Sequence, residues 1–140
     1  MPKFTRRNRT TRKGSVEWGD APDVKKKVDL LIDLVGENWI KKKQVVCFRS
    51  NNSKARAYAR IWGLSKVWQK ALRTQPHYVI EVLAENFDNL SNDRQAEILL
   101  HELAHIPKNF SGSLLPHIRS GKRNFHDRVH ELVQIYKKAK

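Results

Sequence analysis

The stretch LLHELAHIP, residues 99–107, limits what this chain can fold into more than any other. It places His101 and His105 four residues apart, sets Glu102 directly after the first, and ends an apolar run at a proline. Leu99, Leu100, Leu103 and Ala104 recur at helical rather than alternating spacing, which predicts a helix that packs those four inward. Pro107 stops it, because the residue before a proline avoids helical geometry. Ser91 is placed as the N-cap, and Asp93 complements the positive end of the helix dipole. The predicted helix runs over 92–106.

Helical positions four apart lie almost above one another, with Cβ atoms ~5–6 Å apart. His101 and His105 can therefore offer two imidazoles to one cation. Glu102 is turned too far round the helix to be a natural third ligand, yet it is well placed to take a proton from water activated by that cation. The plain alternative is an amphipathic helix carrying two ordinary surface histidines. With this chain's His and Glu content, an HExxH string would arise by chance in about one such sequence per hundred. A cap before it and a proline after it make chance a poorer explanation still.

Two imidazoles, a carboxylate base and an open position select zinc most often. A catalytic zinc takes three protein ligands, so one must come from outside the helix. His117, His126 and His130 are the candidates, and spacing alone does not separate His117 from His126. Each has a plain role too, His117 as a loop residue and the other two as helix residues satisfied by nearby groups.

Around this helix the chain predicts an α+β fold. Val24, Val28, Leu31, Leu34 and Val35 recur at helical spacing after a start at Ala21-Pro22-Asp23. Residues 44–50, 55–63 and 77–83 read as strands, and LSKVWQKAL (64–72) allows a strand continuing toward a turn. FHDRVHELVQIYKKAK puts Phe125, Val129, Leu132 and Tyr136 on one face of a closing helix. The expectation is a small, mostly antiparallel sheet of three or four strands packed with helices, the loop from Pro107 to Asn124 crossing the cleft. Strands 55–63 and 77–83 are the candidate edges for pairing an extended peptide. Tyr78, His77, His126 or an arginine could donate to an oxyanion, and Phe110 is expected to pack.

Charge and composition set the surroundings. The 140 residues suit one domain, and no apolar run approaches the ~20 residues of a membrane span. A lone cysteine, Cys47, allows no internal disulfide, and the basic N-terminus lacks the apolar segment of a secretory signal, so a cytoplasmic location is expected. The formal charge is +14, from 28 basic and 14 acidic residues. Such an excess favours an anionic partner, most commonly nucleic acid, with solubility as the plain alternative. It is densest in MPKFTRRNRTTRKGS, residues 1–15, which carries six Lys or Arg and no acid. That segment predicts a disordered basic arm touching phosphates, ahead of a domain over 16–140.

RSNNSKARAYARIWGLSKVWQKAL, PHYVIEVLAENFDNLS, ILLHELAHIPKNFSGSLLPH and FHDRVHELVQIY together resemble a metallopeptidase family of archaea, their viruses and phages. The resemblance covers roughly residues 16–136, and HIPKNFSG with the following LLPH belongs to its signature. It implies a compact zincin-like domain in which His101, His105 and His117 hold Zn2+ and Glu102 is the base, favouring His117 over His126. More distantly the chain is similar to SprT-like proteases, whose eukaryotic members cut proteins crosslinked to DNA. The expected activity is a zinc metallopeptidase acting on a peptide or protein substrate. A protease directed by DNA through the basic arm ranks next, and a DNA-binding module with a non-catalytic zinc last.

Overall fold

The computed structural model describes residues 15–117 and 125–139, so the basic arm, apart from Ser15, lies outside the described residues. Four strands, β1 (Glu17–Asp20), β2 (Val45–Asn51), β3 (Ala59–Gly63) and β4 (Tyr78–Leu83), form one sheet in the order β1-β2-β4-β3. β1 pairs antiparallel with β2, β2 parallel with β4, and β3 antiparallel with β4. Five α-helices accompany it: α1 (Pro22–Val35), α2 (Lys66–Leu72), α3 (Ala84–Phe87), α4 (Asn92–Leu103) and α5 (Phe125–Ala139). The α+β class and the mostly antiparallel sheet are as expected from sequence.

Each long helix forms for a reason visible in its residues. α1 starts on Pro22, whose fixed φ suits the first turn, and ends where Gly36 adopts the left-handed conformation at φ 75°. It buries Val24, Val28, Leu31 and Ile32, whereas Leu34, expected on that face, is exposed. α4 is capped by the Ser91 hydroxyl, which accepts the Arg94 amide at 3.2 Å. Leu99, Leu100, Leu103 and Ala104 are all buried, so α4 is held in the core on the face opposite Glu97 and Arg94.

The strands depart from expectation in three places. Residues 78–83 form a central strand, not an edge: β4 is flanked by β2 and β3, and all its residues but Val79 are buried. Only 59–63 of the 55–63 stretch is strand, and it is an edge of the sheet as expected, with β1 at the other. Residues 66–72 are helical rather than strand, and the apolar pattern is inverted there: Val67, Trp68 and Leu72 face out while Gln69 is buried. β1 was not foreseen. Its sequence EWGD has no strand signature and is exposed throughout; it is a strand because β2 pairs with it.

Candidate metal centre

The last turn of α4 tightens rather than stopping cleanly. His105 and Ile106 donate to Glu102 and Leu103, three residues back, so His105 sits on a narrow turn just beyond the helix that holds His101. The two rings are 5.4 Å apart between centroids. Arg128 of α5 donates to the Ala104 carbonyl at 3.0 Å, satisfying an end carbonyl and tying α5 to this turn. Arg128 also stands 3.0 Å from Glu37, an ion pair too bent for a hydrogen bond, and lies over the Trp39 ring.

The following loop returns to the same place. The Leu115 amide donates to the His105 carbonyl at 2.7 Å, and the His105 ring donates from Nδ1 to the Leu115 carbonyl at 2.5 Å. This second bond fixes the tautomer and leaves Nε2 of His105 as the free nitrogen. Two residues on, His117 brings its Nε2 to 3.1 Å from that of His101. One ligating nitrogen from each of His101, His105 and His117 lies within 4.8 Å of the others, a set that could hold a metal ion. Of the other candidates, His126 and His130 are exposed on α5 and stand outside this set.

The loop between is pinned by contacts that no local rule predicts. Tyr78, wholly buried in β4, accepts the Gly112 amide and donates to the Ser113 carbonyl, both at 2.8 Å. Its hydroxyl is therefore occupied in holding the loop, which rules against the oxyanion role considered for it. The side-chain amide of Gln69 reaches the Leu64 and Ser111 carbonyls at 2.7 and 2.8 Å. Gly112 has φ +98°, and a Cβ there would sit 2.2 Å from the Leu64 carbonyl oxygen. Phe110 packs edge-on to Tyr78 at 5.0 Å, as a core residue.

Phe125 is the residue sequence reasoning undervalued. It begins α5, stacks on His105 at 4.2 Å, and meets His101 and His117 edge-on at 5.1 and 4.8 Å. Its position on the apolar face of α5 was legible, but spacing carries no sign that an aromatic there would cover three imidazoles.

Burial sets the electrostatics. His101 is pushed down to about 4 by desolvation and then by the neighbouring rings, so it stays neutral and able to ligate in mild acid, and burial shifts His105 the same way. Glu102 is 7% exposed, and burial alone pushes its carboxyl up to about 8. Among the described residues no side chain or backbone group neutralises it.

Compared with known proteins, residues 16–139 match the model of a family described as "Putative phage metallopeptidase". No curated protein and no solved structure matches.

Proposed function

The chain belongs to this phage metallopeptidase family, and from that premise we propose that it is a zinc-dependent hydrolase of peptide bonds, with His101, His105 and His117 as ligands and Glu102 as general base. The observation that carries the reading is the convergence of the three imidazole nitrogens within 4.8 Å. The donor chemistry, three imidazole nitrogens, suits the ion, and small ring rotations would draw a set now within 4.8 Å onto it. Nitrogens bound tetrahedrally to zinc at ~2.05 Å stand ~3.3 Å apart, and those of His101 and His117 are 3.1 Å apart. The Leu115 carbonyl on the far nitrogen of His105 is the support that ligating histidines ordinarily have.

Zinc bound there would supply Lewis acidity, polarising the scissile carbonyl and lowering the pKa of the attacking water toward ~7. With the ion in place, Glu102 would accept a proton from the attacking water and return it to the departing amide nitrogen. Its elevated pKa belongs to the metal-free pocket; a divalent cation alongside favours the ionised form that a base requires. Phe125 excludes water from one side of the rings.

A cleft of ≈280 Å³ opens beside His101, floored by Ile98, Val129 and Val133 and rimmed by Tyr58, Arg94 and Glu97. β3 is an edge strand and begins at this cleft, so an extended peptide can pair with it while placing an apolar side chain on the floor. The test is cleavage of an unfolded protein by the zinc-loaded chain. Activity should vanish with a chelator and in Glu102→Gln, which should still bind zinc. Chelator-resistant cleavage, or a fully active Glu102→Gln, contradicts the reading.

A second reading, a protease guided by DNA, is favoured by the six basic residues of the first fourteen. It requires DNA to accelerate cleavage, and removal of residues 1–14 to abolish the acceleration.

A further inference from the structure

The long helices α1 and α4 pack on one face of the sheet, over the buried Val45, Cys47, Ile80 and Val82, and α5 lies against those two helices. Among the described residues the opposite face carries no long helix. The strand registers place Val46, Val79 and Trp62 in one row across it, and Phe48, Glu81 and Arg60 in the next, with Trp18 on the neighbouring strand beside Ser50. Trp18 and Trp62 are 55% and 51% exposed, and they bound an open slot of ≈360 Å³ floored by Phe48 and Val79.

Beneath this surface lies a fully buried carboxylate. Glu81 accepts hydrogen bonds from Arg60 Nε at 3.0 Å and from the Trp62 indole at 2.9 Å. Burying a charge is costly, and an apolar residue would pack as well for stability alone. What the carboxylate adds is orientation: it holds an exposed indole and a half-buried guanidinium in place, the Arg60 guanidinium 5.5 Å from the Trp62 ring centre. The result is an aromatic surface, anchored on Glu81 and open to solvent.

We propose that this face is a binding platform for single-stranded nucleic acid, with bases stacking on Trp18 and Trp62, the Arg60 guanidinium beside Trp62, and the net charge of +14 drawing the polyanion in. Aromatic side chains on an open sheet offer every base a stacking partner, and a planar guanidinium adds to it. The charge argues for a polyanion over an apolar protein partner: residues 1–14 carry six Lys or Arg with no acid, and lead straight into β1, which bears Trp18. A duplex hides its base faces, so the platform selects single strands. The inference is independent of the peptidase reading, since none of these residues lies at the metal centre.

The test is fluorescence anisotropy with a labelled twenty-nucleotide oligo(dT), beside the same length of duplex and heparin. The full chain should prefer the single strand. Trp18→Ala/Trp62→Ala should weaken oligo(dT) binding by roughly tenfold or more, leaving heparin binding unchanged and the circular dichroism spectrum native. In the unmutated chain carrying 5-fluorotryptophan, the Trp18 and Trp62 fluorine resonances should shift on adding oligo(dT) while that of Trp39 stays put. Unshifted resonances overturn the proposal, as does equal oligo(dT) binding by the double variant. Self-association that the double variant abolishes, with no oligonucleotide bound, assigns the face to a second copy of the chain instead.

Discussion

His105 and Leu115 exchange two hydrogen bonds, backbone amide to carbonyl in one direction and ring nitrogen to carbonyl in the other. A single residue thus orients one imidazole and sets the point from which the chain delivers His117, two residues later. The proposed third ligand is therefore placed by the second. Leu115→Pro removes the amide donor and keeps the carbonyl. It should lower zinc affinity by about 10- to 100-fold, as loss of outer support does at other zinc sites. Competition titration with a chromophoric chelator measures this; unchanged affinity would show that the pairing does not position the site.

Gly112 should be as sensitive as any ligand without touching metal. Alanine there is strained at φ +98° and meets the Leu64 carbonyl oxygen at 2.2 Å and Gln69 Nε2 at 2.4 Å. Gly112→Ala should cost about 1–3 kcal/mol from backbone strain alone, and zinc affinity should fall with it. Gly36 provides the control: φ is +75° but a Cβ there meets nothing within 4 Å. Gly36→Ala should lower thermal stability modestly and leave zinc binding intact.

Tyr78→Phe separates a structural hydroxyl from a chemical one. Removing it leaves the Gly112 amide and the Ser113 carbonyl without the partner they now share. Denaturant unfolding should report a loss of about 1–3 kcal/mol. Turnover per zinc-loaded, folded molecule should stay within a few-fold; a collapse in turnover at unchanged stability would return Tyr78 to the chemistry.

The buried carboxyl gives the metal-free protein an unusual dependence on pH. Glu102 titrates at about 8 when folded, against the ordinary carboxylate value of 4.5 when unfolded. Between these values the folded state holds the extra proton, so this stability is present below 4.5 and is lost as pH rises toward 8. His101, lowered from 6.5 to about 4, acts oppositely between those two values, its stabilisation falling as pH drops. Above 6.5 the Glu102 contribution stands clear of it. Metal-free protein should lose on the order of 2 kcal/mol from pH 6.5 to 8, seen as a falling unfolding midpoint. In Glu102→Gln that decline should be absent.

What the sequence disclosed was whatever a local pattern can carry. The Ser91 cap, the inward leucines of α4, the start of α1 at Pro22 and the face of α5 repeat at 3.6-residue spacing and end on recognisable residues. What stayed hidden depends on distant partners. EWGD becomes β1 only against β2, Gln69 turns inward only because the Leu64 and Ser111 carbonyls need donors, and β4 is central because strands flank it on both sides. Spacing could not choose between His117 and His126. The fold draws the first to His101 and leaves the second exposed, through contacts of Tyr78, Gly112 and Leu115 that lie far apart in sequence.

The most direct test locates the metal itself. Anomalous scattering across the zinc edge, on crystals of protein whose zinc content has been measured, should show one ion per chain within bonding distance of His101, His105 and His117, with Glu102 beside it but not bonded. Protein that retains no zinc at neutral pH, or an ion held by other side chains, would contradict the proposed centre and the hydrolase built on it.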